Sequence, residues 1–400
     1  MKISTGTNSS QRIVFLVPGD QSGPCGVTDY SLWLVRAAAE RGHQVLVLSL
    51  YPFRPRPFMA EVSTSAGGSI TTQLPSKSPP APEEIAQALA SFDPNLVIFQ
   101  FSPPVFRTGK RIYPYLSRIC HVLRSYEVFL VAHETWTSSE TRPSLRRFIL
   151  HGFRRFEILA AWKLLQIRHV YASNPRHLDQ LQSAGFKPHH LPIFSNIPHS
   201  PRPLHHRAAL NNLLNTRGHS AFLSGSPYIA IFFGRIPDAW DPSQVLHQIQ
   251  QESRNCARDL CLISIGETGY SDQGWQRVVQ TAGTIPSLRL GKSSPEEIVA
   301  LLHAADCGIT PNALEFWLKS GTCAAMIGCE LPIVFSQTNI PPEISLPPHF
   351  ATLGRQRLDW HQPSADRVIQ IPSPLINWQR LEKDLFSTAT SAGSPPDHSV

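Results

Sequence analysis

The chain has 400 residues, 42% of them apolar and 16% charged, a composition that suits packed globular domains and excludes wholesale disorder. At about 150 residues per domain the length predicts two domains, and no run of about 20 uncharged apolar residues is present to cross a membrane. The net charge of +7 is local, concentrated between Arg142 and Arg168, which gives general nucleic-acid binding little support.

At the N-terminus the only apolar run is Ile13 to Val17, shorter than the roughly 7–15 residues of a secretory h-region, so a cytoplasmic location is expected. The cysteines at 25, 120, 256, 261, 307, 323 and 329 form no C-x-x-C pair and read as buried free thiols, without structural zinc.

The first strand, Arg12–Val17, runs into a loop with Gly19, Gly23 and Gly26, a helix expected to be capped by Thr28, and a second strand at Gln44–Leu50. Glycines there let the backbone approach a ligand, and the helix aims N–H donors at it. The spacing is not G-x-G-x-x-G, and the second strand ends on Ser49 and Leu50 instead of an acidic residue, which argues against NAD and FAD. Ser63–Pro82 reads as an exposed loop. Strands at Asn95–Phe101, Glu127–Ala132 and His169–Ala172 follow, with helical segments between them, the alternation of a parallel sheet with crossover helices.

His133-Glu134-Thr135-Trp136 closes the Glu127–Ala132 strand, at the carboxyl end where α/β sheets bind ligands. His133 is a candidate to hydrogen-bond a ligand hydroxyl or move a proton, and Glu134 to position it. The basic segment then carries Arg142, Arg146, Arg147, Arg154, Arg155, Lys163 and Arg168 against Glu157, with apolar residues at 145, 148, 149, 153, 156 and 159. It reads as an amphipathic helix with an arginine-rich outer face. Two roles stay open: a core-facing helix with a solvated polar side, or a surface suited to an anionic membrane.

Pro198 to Pro227 lose periodicity and read as a linker around the weakly helical AALNNLL. The pattern restarts at Tyr228–Phe233, Leu260–Ile265, Ser287–Leu290, Cys307–Thr310 and Ile333–Ser336, a second domain of the same class. Its first strand leads into Gly234-Arg235, and the planar fork of arginine suits diphosphate oxygens. Within Gly291–Phe335, a helix opens on Lys319-Ser320-Gly321 just after a strand end, a ready site for an anion such as phosphate. Neither Lys292 nor Lys319 fits G-x-x-x-x-G-K-[ST], which excludes a P-loop. A last short helix is expected over Trp378–Phe386. The expected division is 1–198, a linker at 199–227, 228–372, and a return helix and tail at 373–400.

In their order, GPCGVTDY with RAAAERGHQVLVL, HETW, SNPRHLDQL with LPIFSNIP, IFFGRIPD, and SSPEEIVALLHAADCGITP with ELPIV resemble the retaining GT-B glycosyltransferases of the family-4 (group 1) type over nearly the whole chain. The resemblance implies an α/β fold of two Rossmann-like domains facing across a cleft, acceptor on the N-terminal side and nucleotide-sugar donor on the C-terminal side. It also implies a final helix crossing back to the first domain, and neither a bound metal nor a cofactor. The activity implied is transfer of a sugar, with retention, from a nucleotide sugar to a glycan, lipid-linked or small-molecule acceptor. Arg235 matches the family's diphosphate arginine; the candidate catalytic set is His133, Glu134, Arg235, Lys319 and Glu315. Candidate binding positions are Gly23, Gly26, Asp29, Gly234, Gly266, Glu267, Ser320, Gly321 and Thr322.

Two positions depart from the family. Its lysine five residues after the arginine is here Trp240, and its two glutamates fall at Trp317 and Ala325. Lys319 and Glu315 are the nearest substitutes. A nucleotide-binding scaffold without turnover and a sugar-nucleotide epimerase of the same fold are the alternatives; nucleic acid is not an expected partner. Peripheral contact with the inner membrane face through 142–168 completes the expectations.

Overall fold

The computed structural model describes residues 10–20, 25–54, 59, 67–75, 79–106, 112–136, 145–197, 206–220, 222, 225–266, 272–312, 320–336, 350–352 and 373–387, with backbone alone for 145–148, 206, 350–352 and 386–387. The chain divides into two compact units, residues 1–192 with 373–400, and residues 193–372.

The first unit is built on strands β1 (Arg12–Val17), β2 (Gln44–Ser49), β3 (Ser69–Gln73), β4 (Leu96–Phe101), β5 (Val128–Ala132), β6 (Ile167–Ala172) and β7 (Pro188–His190). They form one parallel sheet in the order β3-β2-β1-β4-β5-β6-β7. Helices α1 (Gly26–Glu40), α2 (Pro82–Phe92), α3 (Tyr113–Leu123), α4 (Leu145–Trp162) and α5 (Pro175–Gln182) connect them. Successive residues of a strand point to opposite faces. Val14 and Leu16 therefore join Phe99, Phe101 and Leu130 in the core shared with Leu116 and Trp162, while Phe15 reaches Trp378 on the other face. Burial on both faces is why β1, β4 and β5 are continuous apolar runs.

The second unit repeats the plan. Strands β8 (Tyr228–Phe233), β9 (Leu260–Ile265), β10 (Ser287–Gly291), β11 (Cys307–Thr310), β12 (Ile333–Phe335) and β13 (Phe350–Thr352) pair in the order β10-β9-β8-β11-β12-β13, again parallel. Its helices are α6 (His206–Thr216), α7 (Ser243–Asn255), α8 (Gln273–Ala282), α9 (Pro295–Ala304) and α10 (Gly321–Gly328).

Three segments differ from the sequence reading. The Ser63–Pro82 loop contains β3, an edge strand paired with β2; its residues are largely exposed, so no apolar pattern marks it. The stretch expected to be a linker contains α6, whose Leu210 and Leu214 are buried in the second unit's core. Helix α4 forms, but of its expected apolar stripe three residues face outward, while Leu159 packs against the core. Ile158, Ala161 and Trp162 are buried, whereas Ile149, Phe153 and Phe156 are exposed. Trp162 packs edge-on against Phe101, with ring centroids 4.9 Å apart, and buried Glu157 accepts a hydrogen bond from the Ile112 N–H at 3.3 Å. Those contacts set the rotation of the helix.

Helix α11 (Pro374–Ser387) completes the first unit. Trp378 and Leu381 are buried, and the Asn377 side-chain amide donates to Tyr30 Oη at 3.2 Å and to the Pro192 carbonyl. Glu382 lies beneath them, accepting from Arg41 Nη2 at 3.0 Å and facing His43 Nε2 at 3.1 Å. The Gln11 N–H donates to His43 Nδ1 at 3.2 Å, so the imidazole proton sits on Nε2 and points at the carboxylate. Tyr171 Oη donates to Asp384 at 2.6 Å one turn end further on. Burial alone pushes the Glu382 carboxyl up, but the hydrogen bonds from His43 and Arg41 outweigh it and hold the group below the ordinary glutamate range.

A depressed carboxyl adds stability above its unfolded value of about 4.3 and loses it as pH falls through the lowered folded value. Glu382→Ala is expected to destabilise the protein by about 1–3 kcal/mol at pH 7 in urea unfolding and to speed hydrogen exchange of the α11 amides. The difference from the parent chain should shrink below about pH 4, where the parent carboxyl is itself protonated.

Candidate functional site at the switch points of the two sheets

In each sheet the chain leaves the central strand in opposite directions, between β1 and β4 in the first unit and between β8 and β11 in the second. Such switch points leave a crevice outside the strand carboxyl ends, where α/β sheets take ligands.

In the second unit, three neighbouring strands end on glycine in the left-handed region: Gly234 (φ 91°) after β8, Gly266 (φ 85°) after β9 and Gly291 (φ 67°) closing β10. They are laddered, the Gly234 N–H donating to Ile265 at 3.0 Å and the Gly266 N–H to Gly291 at 2.8 Å. A Cβ built on Gly234 would lie 3.0 Å from Thr322 Cγ2. The first turn of α10 is therefore seated against the end of β8.

Ser320 caps that helix, its Oγ accepting from the Cys323 N–H at 3.2 Å and lying 2.9 Å from Thr322 Oγ1. The N–H groups of Gly321 and Thr322 have no acceptor within the helix. No acidic side chain occupies this first turn, so nothing on the helix itself competes for its positive end. The neighbouring α9 differs: Glu296 and Glu297 fill its first turn, and Ser294 and Glu297 close a capping box. Cys323 lies beneath the cap, and burial pushes its thiol up to about 11, so it is not a thiolate nucleophile at neutral pH.

Arg235 follows Gly234 and is exposed. Trp240, in the family's lysine position, packs edge-on against Phe232 at 6.0 Å and belongs to the core instead of bearing a charge. Ala325 is fully buried in α10, and no side chain there reaches solvent. Asn196 is an addition to the expected set: its Oδ1 would stand 3.7 Å from a Cβ on Gly321. The residue lies inside the quoted LPIFSNIP motif, yet nothing in the motif distinguishes it from its neighbours. The clustered cations Arg207 and Arg258 meet Asp306 at the amino ends of β8 and β11, away from the strand ends described above, and belong to the architecture. Gly23, Glu267, Glu315, Trp317 and Lys319 lie outside the described residues.

In the first unit, His133 follows β5 and its N–H donates to Phe101 at 3.1 Å. Its Nε2 lies 2.7 Å from Gln100 Oε1, and its ring stands edge-on to Tyr30 at 5.2 Å. Burial pushes the Tyr30 hydroxyl up, partly countered by Asn377, so it stays a neutral phenol. Nε2 of His133 is thus held by a β4 side chain, and its ring packs against an α1 aromatic. Glu134 is half-buried beside it.

Gly26 begins α1 with open space around it, and Asp29 stands in the first turn. That carboxylate already occupies the positive end of the helix, so the first unit's switch point is less suited to an anion than the second's. Cys25, not Thr28, is the N-cap, and it makes no side-chain cap bond; Thr28 Oγ1 instead donates to the Gly19 carbonyl at 3.0 Å.

Among the described residues no group of three or more His, Cys, Asp or Glu side chains could hold a metal ion, and no helix is long and apolar enough to cross a membrane.

No protein-family profile matches the sequence, and no curated protein matches it. Solved structures do. HepE of Anabaena, in complex with UDP and glucose, covers 96% of this chain and 100% of its own at TM-score 0.55 and 12% identity. A glycosyltransferase from Rickettsia africae covers 96% and 89% at TM-score 0.53 and 12% identity. A UDP-GlcNAc 2-epimerase from Neisseria meningitidis, bound to UDP-GlcNAc, covers 94% and 100% at TM-score 0.50 and 9% identity. The fold is that of the GT-B proteins, with two Rossmann-like domains.

Gly234→Ala is expected to cost about 1–3 kcal/mol, from a side chain in the left-handed region and the contact with Thr322. Adding Thr322→Ser removes the Cγ2 contact and should recover part of the loss in urea unfolding. Full recovery would mean that the backbone carries no strain.

Proposed function

We propose that the protein transfers a sugar from a nucleotide-sugar donor to an acceptor hydroxyl, with retention at the anomeric carbon. The observation that carries this reading is the second unit's switch point, where glycine-ended strands meet the Ser320-capped helix beside Arg235. A diphosphate fits such a place: the glycines admit its oxygens to the backbone, the Gly321 and Thr322 N–H groups point outward, and Arg235 supplies a bidentate cation. That HepE binds UDP and glucose on the same fold supports a UDP-sugar as the first donor to try.

In the proposed reaction the bond between the anomeric carbon and the diphosphate oxygen breaks, and the acceptor oxygen bonds to that carbon. The acceptor proton passes to the departing phosphate side. The nucleoside diphosphate leaves with added negative charge, so groups that meet that charge accelerate its departure. Arg235, Lys319 and the α10 N–H groups take this role, and no resident metal or cofactor enters the step. Glu315, Gly266 and Glu267 belong to the sugar side of this reading. Gly23, Gly26, Asp29, His133 and Glu134 belong to the acceptor side, with a glycan or lipid-linked acceptor.

The epimerase reading is kept because a UDP-GlcNAc 2-epimerase shares the fold. A binding protein without turnover is kept because Trp240 and Ala325 occupy the positions of charged residues in the family resembled.

Incubation with UDP-, GDP- and ADP-sugars and a panel of acceptors is expected to give a glycosylated product and free nucleoside diphosphate, and Arg235→Ala to lower kcat/KM about 100-fold or more. An epimerised sugar from donor alone would establish the second reading. Nucleotide-induced thermal stabilisation with no chemistry would establish the third.

A further inference from the structure

Among the described residues the large apolar side chains that stand exposed are Leu74, Ile149, Leu150, Phe153, Phe156, Leu164, Val279, Leu375 and Ile376, and the run from Ile149 to Leu164 contains most of them. Phe156 is 69% exposed and Ile149 63%, values that single surface residues of a packed helix do not need. Ile149, Phe153 and Phe156 stand at i, i+4 and i+7, so they form one ridge along α4. The buried residues Ile158, Ala161 and Trp162 take the opposite side against the core. The helix is therefore apolar twice over, once inward and once outward.

Among the described residues of α4 and the turn after it, the exposed charge has one sign. Arg155 and Lys163 are exposed beside it and Arg154 is half-buried. Glu157, the sole acidic residue between 142 and 168 in the sequence, is turned into the core, where it accepts the Ile112 N–H at 3.3 Å. Arg155 also lies over the Trp136 ring at 5.3 Å and donates to the Ser183 carbonyl at 3.4 Å, which fixes where its guanidinium stands. Arg168 is paired with Glu127 at 2.8 Å and adds little to the field.

We propose that the outer face of α4 docks the protein on an anionic lipid bilayer, with Ile149, Phe153 and Phe156 entering the boundary between headgroups and acyl chains and the flanking cations meeting lipid phosphates. A second copy of the chain is a poorer occupant. A two-fold contact through this ridge would bring Arg154, Arg155 and Lys163 toward the cations of the other copy, with no exposed carboxylate among the described residues of α4 to answer them. An anionic bilayer answers every one of those charges and accepts a convex ridge without needing a matching groove. This inference does not depend on sugar transfer, because vesicle binding is read without donor or acceptor.

The test is co-sedimentation of the full chain with vesicles of mixed phosphatidylglycerol and phosphatidylcholine, and with vesicles of phosphatidylcholine alone. The protein is expected to sediment with the anionic vesicles, to release at high salt, and to stay in solution with the zwitterionic ones. The double variant Ile149→Ser and Phe156→Ser should lose about tenfold or more of its binding to the anionic vesicles. Both positions are exposed, so its urea midpoint should match the parent's. Lys163→Glu, also exposed, should weaken binding while leaving the ridge intact. Three results overturn the proposal: no binding to anionic vesicles at low salt, undiminished binding by the double variant, or a solution dimer that the double variant converts to monomer without any vesicle binding by the parent.

Discussion

Where β8 ends, the space a side chain would fill is taken by Thr322, and the rest of the second unit's switch point follows from that one close approach. Because residue 234 is glycine, α10 can begin directly against the strand end. Because α10 begins there, the donors of its first turn open at the same spot as Arg235. A residue with a Cβ would ask Thr322 Cγ2 to give way by a few tenths of an ångström, at a position whose left-handed backbone already favours glycine.

The two units share a strand order but not an electrostatic character. In the first, Asp29 sits in the opening turn of α1, and the switch point is furnished with the hydrogen-bonding groups of Gln100, His133 and Tyr30. In the second, the corresponding helix start carries no carboxylate, and a cation stands beside it. Amide, imidazole and phenol groups suit ligand hydroxyls; an unfilled helix dipole with arginine suits phosphate. The same backbone plan thus separates two chemistries by a handful of side chains.

Most strands were legible because a parallel sheet buried on both faces demands apolar runs, as in IVFLV of β1 and LVIF at the start of β4. Edge strand β3 was not, since four of the five residues in SITTQ are exposed and only Ile70 carries a strand's apolar signal. Helix α6 was legible only as the weakly helical AALNNLL inside a linker; that Leu210 and Leu214 sit at the spacing of one face and pack into the second unit's core was not. In α4 the period was readable and the phase was not: with two apolar stripes present, only the packing of Trp162 against Phe101 decides which is inside. At the candidate site, Arg235 and Ser320 stood out by chemistry and position, whereas Asn196 is brought to the start of α10 by a turn that leaves no local mark.

The first unit is discontinuous along the chain: Arg41 and His43 find their carboxylate partner in Glu382, after the whole of 193–372 has intervened. On the ribosome, the amino-terminal sheet emerges long before the helix that covers Phe15, Tyr30 and His43. At about 5–20 residues per second the wait is on the order of tens of seconds. During that interval the nascent unit presents an uncovered apolar face and an unanswered buried histidine, so its last step of folding waits until residues 373–387 have been made.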